Sequence, residues 1–309
     1  MRIINISHAD YANFSYENSM AMRSVGLNSE AFILTKHPFG YTKQATKCNV
    51  ERIKHECEKA DIVQVMHTCG TMWDIVKEMD KPVIVWHTGT RYRQDPGKHN
   101  TRWNGVANKH ICALGEFMKL GCENPDFFSI TINTDYFKPD FSVGKNLRIA
   151  HYPSNPEVKG TDAINRVMRN TYGCIYHSSH IKLNHTASIK RMSGNDVYIE
   201  MCSPLQEGKE YGSFGTTACE AAALGMIVIT NNVSGVYEKY YQDCKLIFAN
   251  NEKQLSKELK RLLSLKKEQI IELKKSSRQW VEKNHGYHAS GTRMIALLKK
   301  LNIPELEFS

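Results

Sequence analysis

The chain has 309 residues, 41 Lys and Arg against 32 Asp and Glu for a formal net charge of +9, with 41% hydrophobic and 24% charged residues. That balance excludes a disordered chain, and the length suits two domains of ordinary size better than one core. No apolar run approaches the roughly 20 residues of a membrane span, and the opening MRIINISHAD lacks the apolar core and cleavage site of a signal peptide, so a cytoplasmic protein is expected.

The chain opens on a β-type run, Arg2-Ile3-Ile4-Asn5-Ile6, which ends in the polar segment Ser7-His8-Ala9-Asp10. A helical pattern follows through Met20, Met22 and Val25 and closes at Gly26, and Ala31-Phe32-Ile33-Leu34 reads as the next strand. Further apolar runs at Ile62–Met66 and Pro82–Trp86, with helical stretches before and between, give the alternation of a parallel sheet covered on both faces. The pattern breaks at Asp135–Phe141 and the polar Ser142–Asn146, then restarts at Leu147-Arg148-Ile149-Ala150. Strands are expected at Gly173–Tyr176, Asp196–Glu200, Ile227–Thr230 and Lys245–Phe248, and helices at about 253–265, 267–283 and 289–301. The expected architecture is α/β, with one Rossmann-like domain over 1–143 and another over 144–288, facing each other across a cleft.

The most informative stretch is Tyr211-Gly212-Ser213-Phe214-Gly215-Thr216-Thr217-Ala218-Cys219-Glu220-Ala221-Ala222-Ala223-Leu224-Gly225, followed by the apolar run Met226–Thr230. It reads as a glycine-flanked loop, a short helix of small residues that ends at Gly225, and a buried strand. Free N–H groups at such a helix start, near Gly215–Thr217, suit an anionic group. The stretch resembles the donor-site signature of retaining glycosyltransferases of the GT-B fold, family four in particular, whose pattern is Glu, seven residues, Glu. Glu220 matches the second glutamate, which in that family binds the ribose of the nucleotide. The first falls on Gly212, a departure, while Glu207 and Glu210 are near but out of register.

A second match is His151-Tyr152-Pro153-Ser154-Asn155-Pro156-Glu157-Val158-Lys159-Gly160-Thr161-Asp162, similar to the family's strand-end loop that closes in Lys-Gly-x-Asp. The resemblance implies that Lys159 faces the donor diphosphate and stabilises it as it leaves, a role a lysine point charge suits. Read without it, Lys159 is equally a surface lysine ahead of a helix. The implied donor-binding set is Ser154, Lys159, Phe214, Gly215, Thr216, Thr217 and Glu220. Ile132–Pro139 is similar to the family's inter-domain segment, and Gln279–His285 to its penultimate helix, whose successor crosses back. The segment 289–309 is therefore expected to pack on the N-terminal domain.

In the first half, Val83-Ile84-Val85-Trp86-His87-Thr88-Gly89-Thr90-Arg91 is similar to the family's strand ending in His-Gly-Ser/Thr. His87 is thereby a candidate catalytic residue beside Lys159, and His67 lies at an analogous strand end; a structural histidine is the alternative for each. The loop His8–Phe14 carries no glycine where the family commonly has glycines, so His8, Asp10 and Asn13 are candidates to meet an acceptor through their side chains. Arg91, in the basic and aromatic Arg91–Trp103, is another.

The resemblance implies hexosyl or pentosyl transfer with retention, from a UDP- or GDP-linked donor, by front-face attack that needs no paired carboxylates and no cofactor or metal. Nine cysteines occur singly and the thirteen histidines form no HExxH, so no metal site is expected. The acceptor is open between a saccharide or lipid-linked glycan and a modified base in DNA. Residues 252–300 hold 13 Lys and Arg against 5 Asp and Glu, which suits either solvated helices or a polyanion patch. A catalytically inactive nucleotide-sugar-binding homologue is the other alternative, motivated by Gly212. A Rossmann oxidoreductase is disfavoured because no G-x-G-x-x-G follows the first strand.

Overall fold

The computed structural model describes residues 1–301 except 203, 204, 207, 208, 211, 213, 234 and 242. Glu207, Tyr211 and Ser213 of the loop read above therefore lie outside the described residues, as do the side chain of Glu210 and the end of the 289–309 segment. The chain divides into two units, Met1–Asn133 with His285–Ser309, and Thr134–Asn284.

The first unit begins with β1 (Arg2–Ala9), α1 (Phe14–Ser24), β2 (Asn28–Thr35), β3 (Thr46–Lys47) and α2 (Val50–Glu58). It continues with β4 (Ile62–Val65), α3 (Gly70–Val76), β5 (Val83–His87), α4 (Gly89–Gln94), α5 (Pro96–Trp103), β6 (Lys109–Cys112) and β7 (Asp126–Phe127). The strands form a parallel sheet in the order β3-β2-β1-β4-β5-β6-β7. Side chains alternate across each strand. Ile4, Ile6, Val63, Val65, Val83 and Val85 pack with Ile53 of α2 and Met72 and Ile75 of α3. Their neighbours Ile3, Ile62, Ile84 and Trp86 pack on the other face with Phe14 and Met22 of α1. Burial on both faces explains why these strands read as unbroken apolar runs.

The second unit runs β8 (Leu147–His151), α6 (Pro156–Lys159), α7 (Thr161–Arg169), β9 (Cys174–Ser178), α8 (His185–Met192) and β10 (Val197–Ile199). After a small antiparallel hairpin, β11 (Leu205–Gln206) and β12 (Lys209–Glu210), come α9 (Thr216–Ala223), β13 (Ile227–Thr230), α10 (Val236–Tyr240), β14 (Ile247–Phe248), α11 (Glu252–Leu263) and α12 (Lys267–His285). The parallel sheet has the order β14-β13-β10-β8-β9. Its core joins Ile149, Val197, Ile199, Ile227 and Ile229 to Ile164 and Val167 of α7 and to Leu255, Leu259 and Leu262 of α11. Arg166 and Glu252 bridge α7 and α11 at 2.6 Å.

The last helix, α13 (Tyr287–Lys299), belongs to the first unit and packs on α1. The approach is close enough to demand a glycine: a Cβ on Gly291 would stand 2.3 Å from the Ala21 carbonyl oxygen and 2.9 Å from the Val25 methyls. Gly291→Ala must push α13 off α1, at about 1–3 kcal/mol for an overpacked contact. A chemical-denaturation midpoint equal to wild type would show that the helices are not so closely packed.

No helix among the described residues is long and apolar enough to cross a membrane.

Candidate functional site

In open parallel sheets ligands bind beyond the carboxyl ends of the strands, where the strand order reverses. In the second unit that point lies between β8 and β10. Beyond β8, Asn155 caps α6 by accepting from the Val158 amide, and the left-handed Gly160 (φ 67°) ends it, which fixes where Lys159 points. Its Nζ donates to Glu200 Oε1 at 2.9 Å, just beyond β10. The same oxygen accepts the Gly215 amide at 2.7 Å, and Oε2 accepts from Thr230 Oγ1 at 2.8 Å. Glu200 is buried, so each of these charge-assisted bonds is strong.

Gly215 packs closely on this pair: a Cβ would lie 3.0 Å from Glu200 Oε1, close enough that the carboxylate would have to shift, and 3.8 Å from Lys159 Nζ. The start of α9 is therefore held against the lysine. Because Glu200 takes the Gly215 amide, of the three amides expected to meet an anion only those of Thr216 and Thr217 remain without a partner among the described residues. Glu220 lies one turn on, on the face of Thr216 and Thr217. Its Oε1 accepts from His185 Nε2 at 2.7 Å, at the first turn of α8, and the exposed Tyr136 ring stacks on that imidazole with centroids 5.9 Å apart. At the far end of α9 the buried Arg278 donates to the carbonyls of Ala223 and Phe137.

Lys159, Gly215, Thr216, Thr217 and Glu220 are thus gathered on facing loops and α9, while Ser154 is exposed nearby in sequence and makes no described bond. Phe214 is placed differently: fully buried, it stacks on Tyr237 with centroids 4.2 Å apart and offers a ligand no surface. Glu200 and His185 escaped the sequence reading; both make their key bonds to residues far along the chain.

In the first unit the strand order reverses between β1 and β4. Asp10 sits there, buried, with its oxygens accepting the amides of Ser15 (2.6 Å) and Tyr16 (3.1 Å) at the start of α1, and burial pushes its pKa up to about 6. It is a helix cap from outside the helix, not a free acceptor contact. Asn13 donates to Glu17 Oε1 at 2.9 Å and to the Lys43 carbonyl at 3.0 Å. Although the loop has no glycine, Ala12 (φ 56°) and Asn13 (φ 58°) take the left-handed backbone that glycine favours, a strain of roughly 1–2 kcal/mol each. His8 and Arg91 are exposed.

His87 lies at the end of β5 but turns inward, fully buried, with Nε2 2.8 Å from His110 Nδ1 and its ring against Tyr92. No face of it is open to a substrate. His67 is nearer the reversal point: Nδ1 bonds the Thr88 hydroxyl, Nε2 lies 4.0 Å from Asp10 Oδ1, and the half-exposed Tyr11 ring packs edge-on at 5.5 Å.

Burial lowers the pKa of His67, His87 and His285 to about 3 and of His151 to about 4. Below an unfolded value of about 6.5 the unfolded chain takes up protons that the folded chain refuses. Stability is then lost on acidification, at up to ~1.4 kcal/mol per pH unit per histidine. Asp10 opposes this, since its raised pKa favours the fold at low pH and that help is lost as pH rises through about 6. Burial lowers His37, His99 and His110 in the same direction, so the histidines outweigh Asp10 and thermal melts should hold a plateau above about pH 7 and decline below about pH 6. A melting temperature constant down to about pH 4 would contradict the neutral buried imidazoles.

No family model and no curated protein matches the sequence. Solved structures do match. A structure of HepE from Anabaena in complex with UDP-glucose aligns with 97% of this chain and 100% of its own at TM-score 0.69 and 9% identity. An α-glucosyltransferase in complex with UDP-glucose and DNA containing an abasic site aligns over 97% and 99% at TM-score 0.62 and 11% identity. Sucrose-phosphate synthase from Thermosynechococcus elongatus aligns over 97% and 99% at TM-score 0.67 and 12% identity. The fold is GT-B. At these identities the likeness concerns architecture alone.

Proposed function

We propose that the chain is a glycosyltransferase that takes a sugar from a UDP-linked donor, or a GDP-linked one, and passes it to an acceptor with retention of configuration. The observation that carries the reading is the junction of Lys159 with the start of α9 at the reversal point of the second sheet. One ammonium and two free amides converge there, which suits a diphosphate. Two of the neighbours that share the fold were solved with UDP-glucose.

Glu220 accepts hydrogen bonds from the ribose hydroxyls, with His185 holding one of its oxygens and leaving the other free. Glu200 is a positioning residue that aims Lys159 and ties the Gly215 loop to β10. The acceptor hydroxyl attacks the anomeric carbon as the bond to the diphosphate oxygen breaks, and its proton passes to that leaving oxygen. Lys159 and the Thr216 and Thr217 amides offset the charge that develops there, with no metal in the step. Front-face attack is favoured because Glu200 is held by Lys159, Gly215 and Thr230 and Glu220 is given to the ribose, so neither carboxylate is left to serve as nucleophile or base at the anomeric carbon. On the acceptor side, His67 replaces His87 as the candidate, since of the two histidines it is the one beside Asp10 at the reversal point of the first sheet.

The test is to incubate the protein with a panel of nucleotide-sugars and acceptors, both oligosaccharides and DNA with hydroxyl-bearing bases. Free nucleotide and the anomeric proton of the product are then followed by NMR. A product with the donor's anomeric configuration supports the proposal, and an inverted product overturns the front-face route. Binding without nucleotide release across the panel moves the inactive homologue ahead.

A further inference from the structure

The nine cysteines lie singly along the sequence, and the fold brings two of them into contact. Cys112 is the last residue of β6, fully buried, in register between His87 of β5 and Phe127 of β7, and its carbonyl accepts the Phe128 amide at 3.1 Å. The sheet holds it in place. Cys122 stands in the loop that leads back to β7, ten residues on, and its Sγ lies 3.5 Å from that of Cys112. A disulfide is about 2.05 Å long, so a small movement of the loop would close the bond.

The loop is shaped for this approach. Gly121 takes the left-handed backbone (φ 79°), and Gly121, Glu123 and Asn124 are exposed while Cys122 between them is turned inward. Cys122 thus lies just beneath the surface, with Cys112 behind it. Asn100 of α5 pins the segment, donating from Nδ2 to the Leu120 carbonyl and accepting the Tyr92 hydroxyl, both at 2.9 Å. Tyr92 and Phe117 pack around the two sulfurs. The thiols are unequal: the hydrogen bond from Cys112 holds the Cys122 thiol below its ordinary pKa, with the Tyr92 hydroxyl adding to the effect, whereas the same contact and burial push Cys112 up. By contrast, burial pushes Cys57 up to about 12. A thiolate is the reactive form, so Cys122 is the nucleophile of the pair.

We infer that Cys112 and Cys122 form a peroxide-sensitive dithiol that closes reversibly to a disulfide and fastens the loop between β6 and β7 to the sheet. The Cys122 thiolate attacks one oxygen of hydrogen peroxide; the O–O bond breaks, hydroxide leaves and takes a proton to become water, and Cys122 is left as a sulfenic acid. The thiolate that kept Cys112 protonated is then gone. Cys112 attacks the Cys122 sulfur, the S–S bond forms as the S–O bond breaks, and the departing hydroxide takes the Cys112 proton as a second water. The two thiols are oxidised to one disulfide and the peroxide is reduced to water. A small external dithiol restores the pair by exchange. The dithiol stands independently of the proposed sugar transfer.

Mass spectrometry of the reduced full chain tests it. After brief exposure to equimolar hydrogen peroxide, the remaining thiols are alkylated in denaturant and the chain is cut with trypsin, which cleaves after Lys119 and so separates the two cysteines. The expected result is a cross-linked peptide pair joining Cys112 to Cys122, with the other cysteines alkylated and the link reversed by dithiothreitol. Closing so short a loop should also raise the melting temperature by ~4 °C or more. In Cys112→Ser, dimedone should trap a sulfenic acid on Cys122; in Cys122→Ser, the adduct on Cys112 should form at least ~tenfold more slowly. Alkylation of both cysteines, earlier oxidation of the others, or a bond from either to a different cysteine overturns the inference, and the wild type alone shows each of these. Equal trapping in the two variants overturns the assignment of Cys122 as nucleophile. A disulfide that leaves the melting temperature unchanged overturns the fastening of the loop.

Discussion

Lys159→Ala should still fold, less stably because buried Glu200 loses its counter-charge, and should lose turnover by about 10²–10³-fold, the range seen when one stabiliser of developing charge is removed. The effect belongs in kcat and in kcat/KM together, because the ammonium meets more charge as the diphosphate leaves than it meets in the bound donor. Half-burial beside Glu200 raises the stakes: the lysine is held in one place by a carboxylate that itself is fixed by the Gly215 amide and the Thr230 hydroxyl. Glu200→Gln keeps the shape and discards the charge that aims the lysine, so it should lower kcat less than Lys159→Ala. Steady-state kinetics on purified variants, with a cooperative thermal melt above the assay temperature as the folding control, decides it. Lys159→Ala turning over within threefold of wild type would remove the lysine from the mechanism.

Asp196→Ala is expected to produce the largest loss of stability, about 3–5 kcal/mol. Asp196 begins the central part of the second sheet just ahead of β10 and is fully buried. Its carboxylate accepts from the Arg148 side chain and from Lys274 Nζ at 3.0 Å, and Lys274, on α12, is also fully buried and donates to the Ser142 carbonyl. Burial alone would raise the carboxyl's pKa, but the bonds from Arg148 and Lys274 outweigh it and hold the pKa below 3.8. The contribution is thus present above that pH and lost as pH falls through the depressed value. Removing the carboxylate leaves an ammonium in the core with no counter-charge. A double replacement, Asp196→Leu with Lys274→Met, should recover much of the loss, since what costs most is the unpaired charge. Equilibrium urea unfolding measures both, and a single variant within 1 kcal/mol of wild type would contradict the buried pair.

The central strands were legible because burial on both faces demands continuous apolar residues: Ile62–Val65, Val83–His87 and Ile227–Thr230 could be read from the sequence within a residue or so. β3 and β7 were not, since each is two residues long and defined by the neighbour it pairs with. β6, with the sequence KHIC, carries too few aliphatic residues to signal a strand and owes its place to β5. At the site, Lys159 and Glu220 were visible through local motifs. Their partners were not, because Glu200 is 41 residues from Lys159 and His185 is 35 from Glu220, and no local spacing encodes such a pairing. His87 illustrates the opposite limit. A strand-end position fixes where the backbone is, but whether the ring meets solvent or His110 depends on the adjacent strand. Asp10 likewise looked available in the sequence, and only the left-handed turn through Ala12 and Asn13 carries it back under the α1 amides.

The most direct measurement is a thermal-shift titration of nucleotide-sugars against wild type, Lys159→Ala and Glu220→Ala. A ligand confined to the folded state raises the melting temperature by linkage, equivalent to about 2.7 kcal/mol at a hundredfold excess over Kd. The site described above predicts that UDP-sugars, or GDP-sugars, stabilise the wild type and that both substitutions abolish the shift relative to each variant's own unliganded melting temperature. Equal stabilisation of all three proteins, or none of the wild type at millimolar ligand, would contradict a donor site at Lys159 and the start of α9.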